Sequence, residues 1–292
     1  MFLELIGSTF LLQKYVNNKQ NKGVLALDKL EIIEDKIGVA KGEIFIKIWK
    51  VSENRSSVAL APIILFHESL GSVALWRDFP EKLALLTGRD VIAYDRLGFG
   101  QSSRLEHPLQ YSFVEDEARS ILPEILKKYA INQFVVMGHS VGGGMASICA
   151  VLYPEQCQAL ISESAQSKVE QVTLDGIRVA KENFKNEKLL SRLAKYHADK
   201  TQWVLDAWTE TWLSDAFANW NLDEYLVQIT CPVLAIHGEN DEYATLEQPR
   251  RFVDLSQGEN ELYILKDCGH FPHIEKQAEV LEVVKEFLSD IG

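Results

Sequence analysis

Positive charge is the scarcer kind in this sequence: Lys and Arg total 30 against 42 Asp and Glu, a formal charge of -12 over 292 residues. Such a chain lacks the basic surface that long contacts with nucleic-acid phosphates require, so nucleic acid is excluded as a general partner. Cysteine is sparse as well. Cys149, Cys157, Cys231 and Cys268 form no C-x-x-C pair and have no histidine beside them at metal-ligand spacing. They read as reduced thiols of a cytoplasmic protein. No apolar run is long enough to span a bilayer. The apolar amino end, Met1 to Val16, is interrupted by Glu4, follows no basic segment and precedes no A-x-A site, so it does not read as a secretory signal. Met1 to Gly23 is expected to be an amphipathic extension packed on the body, on a neighbouring subunit of a homodimer, or on a lipid surface, without stable membrane insertion. Internal repeats, low-complexity tracts and long linkers are also missing.

What is present is 47% apolar residues, enough to fill one large domain with a smaller insertion. Short apolar runs alternate with helical patterns, the signature of α/β architecture with a mostly parallel sheet flanked by helices. Glu43 to Val51 alternates, with Ile44, Ile46 and Ile48 on one face, as a half-exposed antiparallel strand would. The runs Ile63–Phe66, Val91–Tyr94, Phe134–Met137, Leu160–Ile161, Val233–Ile236 and Leu262–Leu265 read as strands buried on both faces. Helical spacing links Trp76, Phe79, Leu83 and Leu86, then Val141, Met145, Ile148 and Leu152, and finally Val280, Val284, Phe287 and Leu288. From about Ser167 to Gln228 the alternation stops and only helical patterns remain. Four of the six tryptophans fall there, with Trp208 and Trp212 sharing a helix face with Leu205. They either glue this segment to the body or line an apolar substrate pocket.

Gly138-His139-Ser140-Val141-Gly142 follows directly on an apolar strand run and opens a helical pattern. That is the context in which G-x-S-x-G carries chemistry, because the serine must occupy a tight turn that a side chain at either glycine would obstruct. At a helix amino end, backbone N–H groups also favour developing negative charge. A serine hydroxyl is a poor nucleophile at neutral pH and needs a base in reach, itself held in the right tautomer. Asp241 follows the run Val233–Ile236 and His270 follows Leu262–Leu265, both at carboxyl strand ends like Ser140 and in the order Ser, Asp, His.

With these residues in place, and with Asp95-Arg96-Leu97-Gly98-Phe99-Gly100-Gln101-Ser102 looking like a D-x-x-G-x-G-x-S turn, the chain from about Glu43 onward resembles the α/β-hydrolase superfamily. More narrowly it is similar to the capped branch that contains esterases, enol-lactonases, carbon-carbon bond hydrolases and the related menaquinone-pathway synthase. The resemblance implies a Ser140, Asp241 and His270 triad, no cofactor, a small-molecule substrate, and an α/β-hydrolase core over residues 1–166 and 229–292 with a helical cap at 167–228. It also implies an oxyanion hole from the backbone N–H groups of Ser69 and Val141.

Here the chain departs from the family's usual His-Gly: it has His67-Glu68-Ser69-Leu70-Gly71. Glu68 brings a carboxylate close to a site that must stabilise an oxyanion, so it either contacts substrate or a catalytic water, or bonds a neighbouring backbone group. Glu163, after Leu160-Ile161, is a second carboxylate that could back up Asp241 or sit at the cap entrance. His139, His237 and His273 read as structural, and His67 belongs to the oxyanion loop. Three functions fit these residues: acyl transfer from esters or lactones through an acyl-enzyme, the same residues working on a carbon-carbon bond, and a binding protein on a hydrolase scaffold.

Overall fold

Apolar strands separated by amphipathic helices bury themselves only when helices cover both sheet faces, and that is how this chain folds. The computed structural model describes residues 30–51 and 60–291; the amino-terminal extension expected above lies outside them. Eight strands run β1 Leu30–Val39, β2 Gly42–Val51, β3 Ile63–Phe66, β4 Val91–Tyr94, β5 Phe134–His139, β6 Cys157–Glu163, β7 Val233–Gly238 and β8 Asn260–Leu265. Their order across the sheet is β1-β2-β4-β3-β5-β6-β7-β8. β1, β2 and β4 pair antiparallel, and every pairing from β4 through β3 to β8 is parallel.

The period of two along β3 splits its side chains between two cores. Ile64 and Phe66 join Met145, Ile148 and Leu160 on one face; Ile63 and Leu65 join Leu83, Val280 and Val284 on the other. Each such side chain contributes about 1.5–3 kcal/mol by leaving water. The second face is covered by helices α1, Phe79–Thr87, and α9, Gln277–Leu288.

Two strands depart from expectation. β2 is not half-exposed: Phe45 and Trp49, on the face opposite Ile44 and Ile46, are buried as well, because α1 packs over them. β8, expected to be buried on both faces, closes the sheet with β7 as its one partner, and Leu262 and Ile264 remain 38% and 37% exposed. β1 was not apparent in the sequence.

In the remaining segments, α2 is Leu122–Lys128 and α3 is Val141–Leu152. Between β6 and β7 lie helices α4 Gln171–Asn183, α5 Glu187–His197, α6 Thr201–Trp212 and α7 Asp223–Leu226. The two ends of this segment are pinned together, Leu222 N–H donating to the Ser167 carbonyl at 2.7 Å and Val169 N–H to the Trp220 carbonyl at 3.1 Å. α8, Glu247–Leu255, then precedes β8. Among the described residues no helix is long and apolar enough to cross a membrane, and all four cysteines are free and buried.

Candidate active site

Ser140 links β5 to α3 with φ 55° and ψ -127°, a left-handed conformation that a side chain adopts only under strain. The surrounding packing holds it there. A Cβ on Gly138 would run into the Gly142 carbonyl, and a Cβ on Gly142 into the Phe66 carbonyl of β3. Ser140 N–H donates to the Glu163 carbonyl at 2.9 Å, and the Ser140 carbonyl accepts from Gly143 N–H at 2.9 Å. Gly142→Ala is accordingly expected to cost about 1–3 kcal/mol and to push α3 off β3. A melting temperature several degrees lower, together with loss of fluorophosphonate labelling at Ser140, would register it.

The turns after β7 and β8 bring two more side chains to the same sheet edge. His270 Nε2 lies 3.0 Å from Ser140 Oγ, and His270 Nδ1 lies 2.9 and 2.8 Å from the two Asp241 carboxylate oxygens. Asp241 also accepts Tyr243 N–H at 2.8 Å. Burial alone would raise its pKa, but the adjacent His270 overrides this and holds it below the ordinary aspartate value. An ionised Asp241 calls for a proton on Nδ1, which leaves the Nε2 lone pair facing the serine hydroxyl.

Glu163 is placed elsewhere. Its carboxylate accepts His273 N–H at 2.5 Å and lies 3.0 Å from His273 Nδ1, out of the line between Asp241 and Ser140. The imidazole of His139 is wholly buried, with Nε2 2.7 Å from the His270 carbonyl. His237 is buried 3.4 Å from Asp241.

The loop after β3 is fixed through one carbonyl. The Glu68 carbonyl oxygen accepts from Arg96 Nη2 at 3.0 Å, from Gly71 N–H at 3.1 Å and from His67 Nδ1 at 2.8 Å. Arg96 N–H donates to His67 Nε2 at 3.1 Å, which sets that tautomer. Burial and the neighbouring Arg96 push the His67 pKa well below its ordinary value, keeping the ring neutral. Because a trans peptide points its N–H opposite to its C=O, tying back the Glu68 carbonyl turns the Ser69 N–H the other way. Neither this N–H nor that of Val141, the first residue of α3, has an acceptor among the described residues. Both remain available to an incoming oxyanion.

Ser140, Glu68 and Ser69 open onto a cavity of about 30 Å³. Trp208 and Trp212 of α6 line it, whereas Trp203 packs on Phe99 and Trp220 stacks on Phe217. Tyr243 completes one wall, its ring centroid 5.0 Å from that of His270.

One neighbour of the serine went unread in the sequence. Gln166, just past β6 and 3% exposed, has its Oε1 3.1 Å from Ser140 Oγ, where it can accept the serine hydroxyl in competition with His270 Nε2. Its position beyond a carboxyl strand end, like those of Ser140, Asp241 and His270, is the signal that could have revealed it. Among the described residues, no three His, Cys, Asp or Glu side chains converge as a metal site.

A family model described as alpha/beta hydrolase fold matches residues 61–207, half of the chain. This chain therefore belongs to the α/β-hydrolase fold family. It is 24% identical over 289 residues, covering 90% of this chain and 96% of the relative, to a 2-hydroxy-6-oxo-6-(2'-aminophenyl)hexa-2,4-dienoic acid hydrolase of Metapseudomonas resinovorans. It is 31% identical to the (lyso)-N-acylphosphatidylethanolamine lipase of Bos taurus over 115 residues, 39% of this chain but 33% of that protein. Among solved structures, a meta-cleavage product hydrolase of Pseudomonas fluorescens superposes with TM-score 0.70 at 22% identity, covering 88% of this chain and 98% of that one. An enol-lactonase of Burkholderia xenovorans superposes with TM-score 0.67 at 18% identity, covering 88% and 100%.

Proposed function

We infer that the chain is a serine hydrolase of small ester or lactone substrates, working through an acyl-enzyme on Ser140. The observation that carries this reading is the unbroken line from the Asp241 carboxylate through His270 to Ser140 Oγ, at 2.8 and 3.0 Å. Oγ attacks the carbonyl carbon while His270 Nε2 takes its proton, and Asp241 orients and stabilises the resulting imidazolium. The Ser69 and Val141 N–H groups hold the oxyanion. As the intermediate collapses, His270 returns the proton to the departing alkoxide. A water then attacks the acyl carbon with His270 as its base, and the acid and free Ser140 are released. Residues 167–228 act as a cap: α4 and α6 present Ile177, Trp208 and Trp212 to the cavity and exclude solvent from it. The buried reduced thiols suit a cytoplasmic setting.

A second reading, cleavage of a carbon-carbon bond by the same residues, draws support from the dienoic acid hydrolase that matches along 96% of its length. A panel of p-nitrophenyl acetate and butyrate, a lactone and a vinylogous diketone, assayed with wild type and Ser140→Ala, separates the two. Turnover of the esters that Ser140→Ala abolishes is the expected result. Turnover confined to the diketone would move the assignment to the second reading, and turnover indifferent to Ser140 would overturn both.

A further inference from the structure

The cavity in front of Ser140 contains no lysine or arginine among its described lining residues; apart from His270, its one ionisable acid or base of formal charge is Glu68. A Cβ on Gly71 would run into the Glu68 carboxylate, so glycine at that position gives the carboxylate its seat. On the side away from the cavity the carboxylate faces the His139 imidazole and its own backbone N–H. His139 Nδ1 is 3.7 Å from the carboxylate, and its ring is wholly buried. The Arg96 guanidinium is committed to the Glu68 carbonyl and to the face of Phe99, 4.1 Å from the ring centroid. Neither His139 nor Arg96 lines the cavity. Burial would raise the Glu68 pKa, but His139 overrides it and holds the group at about 2, ionised throughout the neutral range.

A carboxylate that lines the cavity with no lysine or arginine beside it disfavours negative charge developing at the oxyanion hole and repels an anionic substrate. Both penalties disappear if the substrate brings a cation of its own. The same cavity is lined by Trp208, Trp212 and Tyr243, and aromatic rings attract an ammonium group and do nothing for a carboxylate. We propose that Glu68 and these aromatic rings select acyl groups that carry a protonated amine close to the scissile carbonyl, as in an aminoacyl ester. The selection rests on the hydrolase reading above and deepens it. It also argues against a dienoate as substrate, since the substrate's own carboxylate would meet Glu68.

Three near-isosteric esters test it: alanine methyl ester, methyl isobutyrate and monomethyl methylmalonate, of charge +1, 0 and -1. Their kcat/KM values, each divided by the rate with hydroxide, are expected to fall in that order at pH 7, the first exceeding the second by at least tenfold. In Glu68→Gln the ratio of the first to the second is expected to drop toward one, whatever the absolute rates. Equal normalised values in wild type, a preference for the anion, or a ratio that Glu68→Gln leaves intact would overturn the proposal. Binding is read separately from turnover by titrating tryptophan fluorescence with isopropylammonium and with isobutyrate. Quenching by the cation alone, lost in Glu68→Gln, is expected. Ester turnover that fails while this quenching is seen sinks the hydrolase reading and leaves the cation site standing; quenching by both ions or by neither sinks the cation site.

Discussion

Ser140→Ala and His270→Ala are each expected to lower kcat on p-nitrophenyl acetate by about 10⁶-fold, and the double variant to lose no more than either single one. The reason is that the two groups perform one step. Without the Nε2 lone pair at 3.0 Å, the hydroxyl keeps its proton and is no nucleophile at neutral pH; without the hydroxyl, the imidazole has no proton to take. The activity expected to survive in all three variants is the contribution proposed for the Ser69 and Val141 N–H groups and the cavity walls, which would hold a tetrahedral centre whatever attacks it. Steady-state rates of the three purified variants, with circular dichroism to show that each is folded, check this. Losses that multiply in the double variant would mean that serine and histidine act in separate steps.

Legibility in the sequence followed the strength of the local constraint. The turn at Ser140 could be read because two glycines, a preceding strand run and a following helical run all serve one backbone conformation, and φ 55° at Ser140 is the strained state they permit. The strand end before Asp241 was legible because an apolar run buried in a parallel sheet has sharp limits, and the end of β8 before His270 because its apolar run stops at Leu265 although Leu262 and Ile264 stay partly exposed. β1 was not, because Glu31, Glu34, Asp35 and Lys36 break up its apolar alternation and the strand gains its place from pairing with β2 rather than from burial. The second buried face of β2 and the open face of β8 depend on which neighbours the sheet supplies, a property no window of ten residues contains. Within the site, Gln166 and the ties on the Glu68 carbonyl escaped notice because they join residues far apart in the chain. Arg96 reaches back 28 positions and Gln166 lies 26 positions beyond the serine it touches. Three donors on the Glu68 carbonyl oxygen fix the peptide that carries the Ser69 N–H, so the backbone does not depend on a glycine at position 68.

Asp241→Asn is expected to lower kcat by about 10⁴-fold with the fold retained, whereas Glu163→Gln is expected to change kcat by less than about tenfold while lowering stability. In the first variant the amide oxygen can still take the Tyr243 N–H that Asp241 Oδ1 accepts at 2.8 Å. Its NH₂ then faces His270 Nδ1, and a donor there selects the tautomer with the proton on Nε2, which cannot accept from Ser140. Glu163 has no such leverage on the serine. Its carboxylate answers the His273 N–H and side chain in a fully buried place, and removing its charge leaves those donors poorly matched, costing about 3 kcal/mol. The pH dependence of stability separates the two roles further. Burial opposes ionisation of Glu163, but His273 overrides it and depresses the pKa below the ordinary 4.5. A depressed carboxylate contributes its full stability above pH 4.5 and loses it as pH falls through the folded-state value, so the wild type should weaken on that acid limb and Glu163→Gln should not show that portion of the loss. Urea unfolding at pH 7 and pH 4, beside kcat for both variants, measures all of this. A greater loss of kcat from Glu163→Gln than from Asp241→Asn would transfer the task of orienting the base to the carboxylate at the end of β6.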